Sequence, residues 1–146
     1  MADAISPQAL SELIGSIYDC ALDPSRWDQT LADVGSAFDC HILTLSLIDL
    51  RHDRFLLLKT LGLEPYDAAR IPKYLPEVNA ILGKALASWP SLDEPWVQSR
   101  YLTPAYVETS PLFQELVMPT GSVDTMQLFL MHLPMHLSLL DRKSVV

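Results

Sequence analysis

The sequence predicts an α+β fold whose strands form an antiparallel sheet. Apolar spacing switches from the helical period to a period of two at Cys40, and does so again near Val123. Prolines and glycines punctuate the switches. The order is α-α-β-β-α-loop-α-β-β, so the Cys40 to Thr60 hairpin should pair with the Val123 to Arg142 hairpin, because edges need covering in a domain this small.

Ser6-Pro7 reads as an N-cap and first helical residue, with Leu10, Leu13, Ile14, Ile17 and Tyr18 following at helical spacing. Asp23-Pro24 starts a second helix, on which Trp27, Leu31, Val34 and Phe38 form one stripe. From Cys40 the leucines 43, 45 and 47 share one strand face, and Arg51 to Arg54 make a polar break before the run from Phe55 to Thr60. Gly62 and Pro65 close that hairpin. Residues 66–86 are helical in pattern, broken or kinked by Pro72 and Pro76 into two short helices. The stretch from Ser88 to Pro111 carries Pro90, Pro95, Pro104 and Pro111 among aromatics and reads as a long loop. Ser110-Pro111 then opens a helix with Leu112, Phe113, Leu116 and Val117 inward, ended by Pro119 and Gly121. Two strands, on either side of Pro134, complete the chain.

A chain of 146 residues buries roughly 70% of its extended surface, enough for a single domain over residues 1–146. Its net charge of -8 and scattered lysines and arginines argue against direct nucleic-acid or anionic-membrane contact. No charged leader precedes an apolar stretch, and the longest uncharged run, between Asp124 and Asp141, is too short and too interrupted to span a bilayer. A cytoplasmic location is expected, with Cys20 and Cys40 reduced and acting as small buried hydrophobes.

Catalytic and metal chemistry lack a residue supply. His132 and His136 have metal-ligand spacing only on a helix; on a strand they stand roughly 13 Å apart, too far to share an ion bonded at ~2 Å. Cys40 and His41, adjacent on a strand, point to opposite faces. The five glycines form no phosphate loop or nucleophile elbow. Asp93-Glu94, in a proline-rich loop, reads as solvated. No catalytic residue, metal or cofactor is therefore expected. The aromatic group of Tyr74, Trp89, Trp96, Tyr101 and Tyr106, with Met118 and Met126, reads either as core or as the wall of a small-molecule pocket, with Asn79 as an orienting polar group.

The run from Leu13 to Trp27, Gly62-Leu63, Tyr74 to Asn79, Ser110 to Phe113 and Met118 to Gly121 together resemble the N-terminal sensor-like, GAF/PAS-like domains of bacterial LuxR-type helix-turn-helix transcriptional regulators. The resemblance implies a central antiparallel sheet with helices mainly on one face. It also implies a non-enzymatic regulatory domain that binds a small apolar ligand, with a ligand-free dimerisation or partner-binding fragment as the alternative. A looser resemblance reaches acyl-homoserine-lactone-binding domains; it implies Tyr74 and Trp96 as ligand contacts, with Asn79 where an acid would stand. Tyr74, Asn79, Trp89, Trp96, Tyr101 and Met126 are thus the expected ligand residues. The chain ends at Val146 without the linker helix and DNA-binding domain of that family, which leaves the Leu10, Leu13, Ile14 and Ile17 face of helix one to pair with a second copy.

Overall fold

The computed structural model describes residues 5–88, 94–133 and 136–145. Helix α1 (Pro7–Leu22) starts where Ser6 accepts the Ala9 amide at 3.1 Å. Asp23 repeats the device, accepting the Ser25 amide to open a single 3-10 turn (Pro24–Arg26) that runs into α2 (Trp27–Ala37). The joint is braced by Arg26 on Asp19 at 2.6 Å, an exposed pair that contributes little to stability. Next comes the hairpin of β1 (Ile42–Asp49) and β2 (Arg54–Leu61).

Short helix α3 (Pro65–Arg70) passes through a 3-10 turn (Ile71–Tyr74) into α4 (Leu75–Ser88). Pro72 and Pro76 sit in the first turns of these pieces, where a missing N–H leaves no bond unmade. The stretch read as a loop holds a two-residue strand β3 (Trp96–Val97) and the short helices α5 (Gln98–Tyr101) and α6 (Pro104–Thr109). Ser110 then caps a helical segment that widens into a π turn (Phe113–Val117) and ends at Gly121 with φ 75°. The long strands β4 (Ser122–Leu133) and β5 (His136–Val145) close the fold.

All five strands form one antiparallel sheet in the order β2-β1-β5-β4-β3. The two hairpins meet through β1 and β5, from Ile42 opposite Lys143 to Asp49 opposite His136, which is the pairing expected from the sequence. The arrangement of helices differs from the expectation. Every residue of β1 except Leu47 is buried, so both faces of the strand are covered. Leu43 packs with Leu13 and Val34 under α1 and α2, while Ile48 packs with Ile71, Leu82 and Phe113 under the later helices. Alternation along a strand puts Leu43 and Ile48 on opposite faces. Helices therefore lie on both faces of the sheet instead of mainly on one.

A bulge in β2 leaves Leu56 without a partner, since Leu57 pairs with Leu47 and Phe55 with Ile48. It resets the alternation so that Phe55 and Leu58, three residues apart, both reach the same core. With Arg54 and Lys59 it also guards the outer edge of the sheet against pairing with another chain. Helix one differs from the expectation at Leu13, which is buried in the smaller core, while Leu10, Ile14 and Ile17 stay 41–45% exposed. One stripe therefore divides between two environments, because α1 rolls Leu13 onto Val34.

The β1–β2 turn is organised by Asp49. Its carboxylate accepts from the Arg51 and His52 amides, from His52 Nδ1 at 2.8 Å and from Arg54 Nε at 3.2 Å. The hydrogen bond from His52, aided by Arg54, holds its pKa down at about 2 against an ordinary 3.8. Because Asp49 titrates lower in the folded chain than in the unfolded one, its stabilisation is complete above about pH 3.8 and is lost as pH falls through about 2. Urea midpoints measured between pH 2 and pH 5 should therefore fall less steeply with acid in Asp49→Asn than in the parent. Gly62, at φ 76°, lies so close to the His41 carbonyl that a Cβ would stand 1.8 Å from its oxygen. Gly62→Ala should lower the unfolding free energy by at least about 2 kcal/mol, from the left-handed backbone alone, and a urea titration will read that loss.

Candidate functional site

Between the sheet and the later helices lies a cavity of about 80 Å³. Its floor is the sheet: Thr44, Ser46 and Ile48 alternate along β1, Thr125 and Gln127 along β4, and Trp96 stands on β3. Its roof consists of Val78, Ile81 and Leu82 from α4 with Leu112, Phe113, Leu116 and Val117 from the π-turn segment. Among the described residues no charged side chain lines it. The floor is where the polar atoms are, because β1 and β4 carry hydroxyls and an amide at positions that would otherwise be apolar core. Thr125 Oγ1 donates to Gln98 Oε1 at 3.0 Å. Trp96 Nε1 and Gln127 Oε1 are buried with no hydrogen-bond partner among the described residues, an uncommon state for buried polar atoms.

The roof is pinned by two carboxylates. Glu77 of α4 accepts from the Ser110 hydroxyl, from Tyr106 Oη at 3.2 Å and from the Leu112 amide at 3.1 Å. It thereby completes the cap of the π-turn segment from a different helix. Burial, reinforced by Glu77, pushes the Tyr106 phenol above its ordinary pKa. Glu115, on the π turn itself, accepts from Tyr74 Oη at 2.5 Å and Lys73 Nζ at 3.0 Å, with Arg70 at 3.5 Å. The Tyr74 hydrogen bond, followed by Lys73, holds the Glu115 carboxyl below its usual range. Arg70 also stacks over the rings of Tyr66 and Tyr74. Both clusters tie the π turn to the segment before it.

Of the residues expected to meet a ligand, the structure brings Trp96 to the cavity. Tyr74 is buried, but its hydroxyl is turned outward to Glu115 and it does not line the space. Asn79 points its amide at Asp53 in the β1–β2 turn, 2.6 Å away, and so fastens α4 to that turn. Tyr101 is half exposed and stacks on Trp96, with centroids 5.5 Å apart and planes 13° apart. Met126 lies on the opposite sheet face from Thr125 and Gln127 by strand alternation. Trp89 lies outside the described residues, as does Asp93. Sequence reasoning had passed over Gln127, Thr125, Thr44 and Ser46. Their signal was polar residues two apart within otherwise apolar strands.

Cys20 is buried, with its Sγ 3.2 Å from Thr30 Oγ1, and Cys40 is only partly buried. Among the described residues no group of three or more His, Cys, Asp or Glu side chains is placed to hold a metal ion. No helix among the described residues is long and apolar enough to cross a membrane.

No protein-family model matches this chain. No curated protein matches it either. Among solved structures, the chain is similar to CepR2 of Burkholderia cenocepacia, an N-acylhomoserine lactone dependent LuxR family transcription factor. The two share a TM-score of 0.61 at 14% identity, over 97% of this chain and 82% of that one. The likeness is one of fold. The Glu77 cluster generates a stability test. Glu77→Leu leaves the Ser110 hydroxyl and the Leu112 amide unpaired, which should cost about 2 kcal/mol and speed hydrogen exchange of the 112–117 amides ahead of those in β1.

Proposed function

We infer that this chain is a non-enzymatic, cytoplasmic regulatory domain of the LuxR-type sensor kind, which lodges a small, largely apolar molecule between its sheet and its π-turn roof. The observation that carries this reading is the cavity itself, whose described lining is free of charge. Pockets for small molecules have that composition, mostly apolar with a few placed polar groups. A cavity of about 80 Å³ takes only a small occupant. The fold similarity to a transcription factor that depends on an N-acylhomoserine lactone supports the regulatory reading.

Exposed apolar residues on α1 favour a second element of function, association with another copy. Leu10, Ile14 and Ile17 continue into Tyr18 and Leu22, which are 74% and 88% exposed. Together they present on the order of several hundred Å² of contiguous apolar surface, the size at which patches mark interaction sites. A two-fold pairing of α1 with its copy closes that surface with the fewest new contacts.

Two measurements test these readings. Toluene at ten times its dissociation constant should raise the melting temperature by about 2–5 °C through mass action on the folded state. Val78→Phe, which puts a ring into the same space, should abolish the shift; an undiminished shift in that variant would place the binding elsewhere. Light scattering over a dilution series should show a dimer in the parent chain and a monomer in Ile14→Glu/Ile17→Glu. A parent that stays monomeric at high concentration sinks the association.

A further inference from the structure

The two unpaired atoms in the cavity wall specify the head group of its occupant. We propose that the cavity takes a small molecule whose head carries a carbonyl and an N–H side by side, a primary carboxamide or a lactam, held between Trp96 and Gln127. This rests on the reading of the cavity as a ligand site and assigns its chemistry.

Trp96 and Gln127 face each other directly across β3 and β4. Residues so paired hold their Cβ atoms about 5 Å apart on one face of the sheet. Both side chains line the cavity, and Trp96 is only 3% exposed. An indole N–H can only donate, and a glutamine carbonyl oxygen can only accept. The complementary head therefore offers an acceptor to Trp96 Nε1 and a donor to Gln127 Oε1. A hydrocarbon would leave both atoms unpaired, and an ester or lactone would satisfy the indole alone.

Among the described residues no lysine, arginine, aspartate or glutamate lines the cavity. Thr125 is occupied with Gln98. Around the polar pair stand Ile48, Leu82, Phe113 and Leu116, which suit a short apolar body. The Trp96 ring, backed by Tyr101 at 5.5 Å, is held in place from the side away from the cavity.

The test uses the full chain and three rings of one size: ε-caprolactam, which has donor and acceptor, and N-methylcaprolactam and ε-caprolactone, which lack the donor. Titration by calorimetry should give caprolactam at least about tenfold tighter binding than either analogue. In ¹⁵N-resolved spectra its addition should move the indole N–H signal that disappears in Trp96→Phe. Gln127→Met, which keeps the side-chain length but removes the amide, should erase the preference and leave the three rings equal. Equal binding of all three to the parent chain overturns the head-group assignment while leaving the pocket intact. So does binding of toluene with none of the rings. If neither toluene nor any ring binds, the ligand-site reading fails with it.

Discussion

Strand β1 is buried on both faces, and the architecture follows from that constraint. A strand buried on both sides cannot sit at the surface of a two-layer domain, so helices have to be supplied above and below it. The N-terminal hairpin of α1 and α2 supplies one layer, with Leu43 wedged between Leu13 and Val34. The later segment from Ile71 to Val117 supplies the other. The sheet is thereby left with two unequal cores. The smaller is filled by aliphatic side chains meeting directly, and the larger holds an internal space.

That space exists because the floor and roof are built by different rules. The floor is a sheet whose inward positions on β1 and β4 include threonine, serine and glutamine, residues too short or too polar to fill it. The roof is a run of short helices interrupted by prolines, with a π turn at its centre. Such a roof has little intrinsic helical stability, since isolated segments of this length are marginal. Side-chain carboxylates replace the missing backbone continuity: Glu77 caps the π-turn segment from α4, and Glu115 gathers Tyr74, Lys73 and Arg70 around its outer surface. Insertion of one residue to form a π turn is a common way to aim side chains at a functional site, and here it directs Phe113, Leu116 and Val117 into one cavity.

Much of the fold was legible in the sequence because its signals are local. Ser6, Asp23 and Ser110 announced three helix starts through short side-chain caps to nearby amides, and the change of period at Cys40 announced the strands. Even the joining of the two hairpins followed from the need to cover edges. The second layer of helices was also written there, in the isoleucines 42 and 48 that share β1 with its leucines, but Thr44 and Ser46 between them made the leucine face the clearer signal. The bulge at Leu56 and the short strand β3 carried no local mark, since both are set by what lies across the sheet.

The site was much less legible. Trp96, singled out with the other aromatics, lines the cavity, whereas Tyr74 and Asn79, singled out by residue type and position, do not. Their side chains turn to Glu115 and Asp53, partners 41 and 26 residues away in the chain. Hydrogen-bond direction over such distances depends on how helices roll against the sheet. The sequence by itself thus determined the composition of the layers, the helix caps and the antiparallel hairpins, all of which depend on neighbours within a few residues. Only the tertiary structure decided that helices cover both faces, that Leu13 leaves the exposed stripe of α1, and that Trp96 and Gln127 face one cavity with unpaired atoms, because those outcomes depend on packing between segments far apart in the chain.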